Sequence, residues 1–316
     1  MALGSGMRAA QAHAMSTNRF LGMAALTAIV ALLAAIAAAF GLFARGDGAF
    51  ETVTSARGVT YEMATTGVYA FNAERVVAEG VGWDVFTLVI AVPALLVAAV
   101  FVARGSFRGR LFTIGLLGYV FYQYLEYAMT WAFGPLFPLF IAIYAASLGG
   151  IVWLGASITR DGVAGRFDER FPARRWSALV IGLSLLLTLM WVQRIAIGLG
   201  GNLEAAGMYG ETTLVVQALD LGLMVPSGIV IGILAWRRTA AGRVLSAIFL
   251  VTYVAMALAI SSMLVSAAIV EGSVELPPMV IFGGAALGAI LTGIGMYRSG
   301  GAVAPRARIA AMPAAG

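Results

Sequence analysis

The chain has 316 residues, of which 61% are hydrophobic and 11% charged, and its mean hydropathy is +0.94. A soluble domain carries about 25% charged residues, so this composition excludes a water-soluble globule. All 20 basic residues are arginines, cysteine is absent and His13 is the one histidine. Lysine Schiff bases, thiolate chemistry and histidine-rich haem or metal sites are therefore excluded, and we predict no cofactor, no metal site and no catalytic residue.

Eight long apolar runs predict an all-α membrane protein with eight transmembrane helices, since about 20 apolar residues cross the hydrocarbon core. In chain order the predicted spans are Phe20–Phe43, Trp83–Val102, Leu111–Phe133, Leu136–Ile158, Trp176–Gly198, Thr213–Trp236, Val244–Ile269 and Met279–Tyr297. The first run resembles a signal peptide because Arg8 and Arg19 precede it. Its apolar length is too great for an ordinary signal-peptide core, so we predict a retained helix.

The arginines predict how these helices are oriented. If the N-terminus is cytoplasmic, the inside segments contain 16 arginines, at positions 8, 19, 104, 108, 110, 160, 166, 170, 174, 175, 237, 238, 243, 298, 306 and 308. The outside loops contain only Arg45, Arg57 and Arg75. This bias follows the positive-inside rule and predicts a bacterial-type cytoplasmic (inner) membrane protein with both termini in the cytoplasm. The net charge of +5 then reflects topology, and no nucleic-acid partner is expected.

The spans and loops predict five segments along the chain. They are a cytoplasmic N-terminal segment (1–19), a first four-helix unit (20–158) with an exterior loop (44–82), a basic cytoplasmic loop (159–175), a second four-helix unit (176–297) and a disordered cytoplasmic tail (298–316). Because structureless loops of this length are unusual, we expect the exterior loop to form a short amphipathic helix or a cap over the outer face.

Two helix pairs share a sequence pattern at an offset of 133 residues. The first has Pro93, Arg104 and the turn Gly109–Leu111, and the second has Pro226, Arg237 and the turn Gly242–Val244. Two interpretations stay open. Either the chain is an internal repeat with a 4+4 architecture of parallel halves, or the positive-inside rule alone makes two arginine-tipped hairpins alike. The two prolines are candidate hinges or kinks.

Polar residues within the spans are the candidate functional residues. Those of the third span fall within an arc of about 140° at helical spacing: Tyr119, Tyr122, Gln123, Glu126, Tyr127 and Thr130. A carboxylate in hydrocarbon costs about 2.5 to 3.5 kcal/mol, so Glu126 should face the bundle interior. Arg194 and Asp220 lie at a similar depth, and we expect Arg194 to pair with one of the two acids.

The candidate ligand-binding residues are Asp84, Tyr119, Tyr122, Gln123, Glu126, Arg194, Gln217 and Asp220. An alternative is purely structural: Arg194 and one acid form a buried pair that fixes helix register.

Two stretches, Asp84–Tyr124 and Gln217–Arg238, each contain an acid-then-proline helix, and the first also contains the turn Arg-Gly-x-x-Arg-Gly-Arg at residues 104–110. On these motifs the chain resembles a family of uncharacterised prokaryotic membrane proteins with about eight helices. The resemblance covers most of the chain from about Thr66 to Leu250. It implies a multi-span fold and transfers no catalytic role.

The favoured function is a transporter or a solute-binding membrane protein. Its acids would bind a cation, a proton or an amine-bearing solute, and Arg194 would tune their pKa or meet an anionic group. One alternative is an accessory or sensory subunit of a membrane complex. Another is a lipid-modifying enzyme that uses Glu126 or Asp220 as a general base. The expected partners are the lipid bilayer and a small solute or cation; a homo-oligomer or a membrane complex stays open.

Overall fold

The structure, a computed structural model, describes residues 3–274 and 276–300, with side chains from Thr17 onward. Within these residues the chain is a bundle of long helices with one small two-stranded sheet. Seven helical segments are long and apolar enough to cross a membrane. Two of them, Glu74–Ala103 and Val215–Trp236, each consist of two shorter helices joined by a π turn. The prediction of an all-α, multi-span membrane protein is confirmed at this level. The predicted disordered tail lies outside the described residues from position 301 onward.

The helices are α1 (Leu3–Phe43), α2 (Glu74–Phe86), α3 (Val92–Ala103), α4 (Phe107–Thr130), α5 (Phe137–Asp161), α6 (Ala173–Leu199), α7 (Val215–Leu219), α8 (Val225–Trp236), α9 (Ala240–Glu271) and α10 (Leu276–Ser299). A first π turn (Thr87–Ala91) joins α2 to α3, and a second π turn (Asp220–Met224) joins α7 to α8. We call the end of the bundle near Phe43 and Glu74 the hairpin end, and the end near Arg104 and Arg237 the arginine end.

Helix α4 corresponds to the third predicted span and differs from the other long helices. It is absent from the seven apolar helices, since tyrosines, Gln123 and Glu126 lower its hydropathy. Sixteen of its 24 residues are buried, and it packs on α3, α5 and α9. The polar stripe expected from the sequence therefore lies on a helix at the centre of the bundle.

The loop between α1 and α2 contains a β-hairpin. Strands β1 (Phe50–Thr54) and β2 (Thr60–Ala64) pair antiparallel, with Phe50 opposite Ala64. The Arg57 guanidinium donates a hydrogen bond of 3.1 Å to the Thr212 carbonyl, so the hairpin lies against the loop that precedes α7. This part of the loop is thus a hairpin and not the amphipathic helix that we considered, while a cap over the outer face stays a prediction.

The second predicted span lies within a helix that begins earlier in the chain. Helix α2 begins at Glu74, nine residues before the predicted start at Trp83. The first turns of α2 carry charges, which hydropathy alone assigns to a loop. Arg75 and Glu79 are four residues apart and form a salt bridge of 3.0 Å, which is the spacing that stabilises a helix.

The two π turns lie 133 residues apart in the chain (87 to 220), and each is followed by a proline, Pro93 or Pro226, at the start of the next helix. Proline lacks an N–H, and its ring collides with the carbonyl four residues earlier. A π turn widens the helix at that point and relieves the collision. Each candidate kink therefore coincides with a widened turn.

The turns that follow are also alike. These are the turns between α3 and α4 and between α8 and α9. Gly105 in the first and Arg238 in the second both have a positive φ, 71° and 54°. Ser106 and Thr239 then cap α4 and α9 by accepting hydrogen bonds from main-chain N–H groups three residues later, at 3.1 and 3.0 Å. Hydroxyl caps of this kind satisfy N–H groups that have no partner within the helix.

Helix packing follows the same correspondence across the bundle. Helix α1 packs on α3 as α6 packs on α8, and α5 packs on α4 as α10 packs on α9. Between the two sets, α2 packs on α9 and α7 packs on α4. The α2–α9 contact is so close that it requires glycine at position 82, since a Cβ there would lie 2.4 Å from the Ser262 carbonyl oxygen.

Arginines fix the arginine end through main-chain and side-chain acceptors. Arg110 is buried and forms a salt bridge of 2.7 Å with Asp161. Arg243 donates to the Phe167 carbonyl at 3.0 Å. Arg108 donates through Nε to the Gly300 carbonyl at 2.8 Å. Helices α4, α5, α9 and α10 are thereby connected at this end.

Candidate functional site

A cavity of about 250 Å³ lies at the hairpin end, between α2, α4, α6, α7, α9 and α10. The loop that connects α6 to α7 contributes to its wall. The charged residues that line it are Arg75, Glu79, Glu126, Arg194, Glu211 and Asp220. Four carboxyls face two guanidiniums, so acids are in surplus.

Asp220 is the first residue of the second π turn, and two neighbours bind its carboxylate. The Tyr122 hydroxyl donates to Oδ1 at 2.5 Å, and the Trp191 indole N–H donates to Oδ2 at 2.8 Å. These donors come from α4 and α6, so Asp220 joins three helices. Hydrogen bonds to a carboxylate are stronger than those between neutral groups.

Glu126 lies one turn beyond Tyr122 on α4 and has no comparable partner. Its side chain lines the cavity, although the residue is only 7% exposed. Among the described residues, no arginine lies within 4.0 Å of its carboxylate. A further group in the same wall, the Trp83 indole N–H, is buried without a hydrogen-bond partner among the described residues. The cavity therefore has polar groups available to a ligand.

Arg194 does not form the ion pair expected from the sequence. Its guanidinium carbon lies 5.8 Å from the centre of the Trp191 ring and packs against Gly207. No acid among the described residues lies within 4.0 Å of it. Because Trp191 precedes it by one turn on the same helix and itself binds Asp220, that carboxylate is already occupied.

The remaining charges of the cavity differ in how they are neutralised. Arg75 forms salt bridges with Glu79 at 3.0 Å and with Glu271 at 2.7 Å. Glu211 lies in the loop before α7. Burial raises the pKa of its carboxyl above the ordinary value, and the Glu79 charge raises it further. Glu211 is therefore held toward its neutral form.

Aromatic rings form one wall of the cavity. Trp83 and Tyr127 stack with their ring centres 5.7 Å apart, and Tyr127 lies 4.8 Å from Trp131. All three line the cavity together with Trp191. Acids and electron-rich ring faces together favour a cationic group over an anionic one.

The structure brings five of the eight candidate ligand-binding residues to this cavity and leaves three outside it. Those that line it are Tyr122, Glu126, Arg194, Gln217 and Asp220; those that do not are Asp84, Tyr119 and Gln123. The polar stripe of α4 is therefore divided between two surroundings.

The three other residues belong to what we call the closed cluster, which comprises Tyr69, Asp84, Thr87, Tyr119 and Gln123. Asp84 is 1% exposed and accepts a hydrogen bond from the Tyr69 hydroxyl. The Thr87 hydroxyl bonds to Tyr119 at 2.8 Å and to Gln123 at 3.0 Å. Burial and the Asp84 charge raise the pKa of Tyr69 well above its ordinary value, so this hydroxyl stays a donor. All five residues of the cluster are buried, with at most 2% of each exposed.

Several lining residues were missed by reasoning from the sequence, namely Arg75, Glu79, Trp83, Tyr209 and Glu211. The spacing of Arg75 and Glu79 is a helical signal that would have extended α2 to include them. Nothing local indicates Glu211, because its role depends on how the loop before α7 folds over the cavity.

No group of three or more acidic or histidine side chains among the described residues is arranged to hold a metal ion. In comparisons with known proteins, the chain matches no family model, no curated protein and no solved structure. Function must therefore be argued from the cavity and its chemistry.

Proposed function

We propose that this protein is an inner-membrane transporter or solute-binding protein whose cavity at the hairpin end binds a small solute or cation. The observation that carries the proposal is the surplus of carboxyls in this cavity, with Glu126 buried and unpaired among the described residues. An ionisable group at membrane depth is costly, so its presence without a partner favours a ligand as the missing partner.

The proposal includes an eighth membrane-crossing helix. Helix α4 has 24 residues, enough to span a hydrocarbon core about 30 Å thick at 1.5 Å per residue. Its neighbours α3, α5 and α9 shield its polar face from lipid. With eight crossings, the arginine end would face the cytoplasm by the positive-inside rule, and the cavity would face the outside.

We also propose that the bundle consists of two duplicated four-helix halves. Three features support it: the offset of 133 between the π turns (87 to 220), the matching caps, and the paired packing of α1 on α3 and α6 on α8. Halves with an even number of crossings run parallel, and sites in such proteins lie between the halves. Residues from both halves line the cavity.

The cavity also separates this function from the main alternative. An accessory or sensory subunit needs a face of small residues and no polar interior site. A cavity lined by a carboxyl and a guanidinium that form no ion pair among the described residues favours solute binding instead.

The test uses Glu126→Gln and Asp220→Asn in the purified, full-length protein. Thermal unfolding is followed across a panel of inorganic cations, amines and lipids, and the wild type is expected to be stabilised by at least one class. A ligand at 100 times its Kd stabilises by about 2.7 kcal/mol. Both variants should lose most of that shift.

Glu51→Gln is the matched control, since Glu51 is exposed on β1 and outside the cavity. It should keep the full ligand-induced shift. If both cavity variants respond to the panel as the wild type does, neither acid is a binding group and the proposal fails.

A further inference from the structure

Two opposite charges in the cavity are left without a partner among the described residues. Asp220 is bound by Tyr122 and Trp191. The other two are Glu126, on α4, and Arg194, on α6, and both line the same space. They lie more than 4.0 Å apart and form no salt bridge with each other.

The neighbouring charges do not neutralise them. Arg75 is held by Glu79 and Glu271. Arg194 is near enough to Glu211 to lower the pKa of that carboxyl, but it does not outweigh burial and lies beyond salt-bridge distance. The cavity therefore presents a carboxyl group, that of Glu126, and a guanidinium group, that of Arg194, at separate positions.

The surroundings of the two groups also differ. On the side of α2 and α4, the aromatic residues Trp83, Tyr127 and Trp131 line the cavity, and aromatic rings attract an ammonium group. On the α6 side, Arg194 packs on the Trp191 ring, and its planar guanidinium can bind a carboxylate through two parallel hydrogen bonds. A purely cationic ligand would leave Arg194 unpaired, and a purely anionic ligand would leave Glu126 unpaired.

From this separation we propose that the ligand is a small zwitterion of the amino-acid type, with its ammonium group at Glu126 and its carboxylate at Arg194. The inference rests on the proposed solute-binding function and names the chemical class of the solute. A volume of about 250 Å³ accommodates such a molecule with some water. Pairing both charges at once relieves the cost of leaving each unpaired in a poorly solvated site.

The experiment compares three molecules of matched size: γ-aminobutyrate, butylamine and butyrate. Binding to the full-length protein in lipid nanodiscs is measured by isothermal titration calorimetry. The same comparison is repeated along a series of amino acids from glycine to ε-aminocaproate, so that the distance between the two groups is also sampled. For the best-fitting length, the zwitterion should bind about tenfold or more tightly than either analogue, since one charge-assisted contact accounts for a factor of this size.

Variants assign each end of the ligand. Glu126→Gln should weaken zwitterion and amine binding about tenfold and leave the carboxylate analogue unchanged. Arg194→Gln should weaken zwitterion and carboxylate binding and leave the amine unchanged. Gln193→Ala is the control, because Gln193 is next to Arg194 in sequence but faces outward and does not line the cavity.

The outcomes distinguish this inference from the function on which it rests. If butylamine binds as tightly as the zwitterion and Arg194→Gln has no effect, the site binds cations only and the zwitterion proposal is overturned. If no member of the series binds, and no member of the wider cation and lipid panel binds, both proposals fail. Should Arg194→Gln not give a monodisperse protein, Arg194→Lys keeps the charge and is expected to weaken carboxylate binding less than tenfold.

Discussion

The two π turns have the same backbone form but opposite surroundings. Thr87 begins the first, and its hydroxyl is enclosed in the closed cluster by Tyr119 and Gln123. Asp220 begins the second, and its carboxylate lies at the wall of a cavity. The first residue of each widened turn occupies a similar backbone position, and the packing around it decides whether its side chain is enclosed or lies at a cavity.

The outer helices explain the difference. Helix α1 presents a face of alanines, including Ala31, Ala34 and Ala38, which are fully buried and allow close approach to the first π turn. Helix α6 presents Met190, Trp191 and Arg194 at the corresponding level. Only 11% of the most apolar stretch of α6 is buried within the bundle, compared with 39% of the corresponding stretch of α1. Large side chains hold α6 away and leave room for the cavity.

Two glycine substitutions, one on α1 and one on α6, should give the largest difference in stability between the two regions. Gly41→Ala on α1 would place a methyl group 2.0 Å from the Asp84 carboxylate and the Tyr69 hydroxyl, so we expect a loss of about 1 to 3 kcal/mol. Gly182→Ala on α6 meets nothing within 4 Å and should be neutral or stabilising, since alanine favours helix more than glycine. Thermal unfolding in detergent measures both. Equal losses would show that α1 and α6 pack with similar density.

Substitutions of two tyrosines on α4 should separate an effect on stability alone from an effect on ligand binding. Tyr119→Phe removes a hydroxyl from the closed cluster and should cost about 1 kcal/mol in unfolding free energy, with ligand binding unchanged. Tyr122→Phe removes a donor to Asp220 and should weaken ligand binding as well, because the freed carboxylate oxygen lies at the cavity wall. Calorimetry beside thermal unfolding separates the two effects. Binding that falls equally in both variants would contradict the division of the α4 stripe.

The α4 stripe illustrates what could be predicted from the sequence. Helical spacing placed Tyr119, Tyr122, Gln123 and Glu126 on one face, and the cost of charge in hydrocarbon directed that face inward. Both inferences agree with the buried positions of these residues. Spacing cannot say which neighbours meet each part of the stripe, since that depends on how closely α1 and α6 approach.

Arg194 illustrates the opposite case. Pairing it with an acid at the same depth was reasonable, because unpaired charge is costly in a membrane. The Trp191 indole N–H donates a hydrogen bond to Asp220 instead, so this carboxylate is not free to pair with Arg194. The hairpin was also missed, although Phe50–Thr54 and Thr60–Ala64 are rich in β-branched and aromatic residues. Its position in a long loop between two strong helical signals obscured that pattern.

The smallest expected effect concerns pH and the loop at the cavity. Because the pKa of Glu211 is raised above 4.5 in the folded state, its contribution to stability is present below that pH and is lost as the pH rises through the raised pKa. Glu211→Gln should therefore reduce the decline in unfolding temperature between pH 4.5 and neutrality. A wild type and variant with parallel pH profiles would contradict the buried, protonated state.

Asp47, in the turn between α1 and β1, provides a control of opposite sign. Hydrogen bonds from the Thr66 hydroxyl and the Ala49 N–H lower the pKa of its carboxyl. Its contribution to stability is thus present above the ordinary value of 3.8 and is lost as the pH falls through the lowered pKa. Asp47→Asn should change the profile only on the acidic side.

The arginine end has a consequence for the direction of exchange. Arg243 and Arg108 bind main-chain carbonyls of Phe167 and Gly300, acceptors that no side-chain replacement at those positions removes. Opening a path at that end requires several buried or partly buried contacts to break together, whereas Gly207, Tyr209 and Glu211 of the α6–α7 loop form part of the cavity wall at the hairpin end. If the protein carries a solute, as proposed, a molecule that enters from the hairpin side should therefore return by the same route far more often than it crosses. Equilibrium exchange should be fast and net flux slow, so retention of a labelled molecule is easier to observe than its delivery.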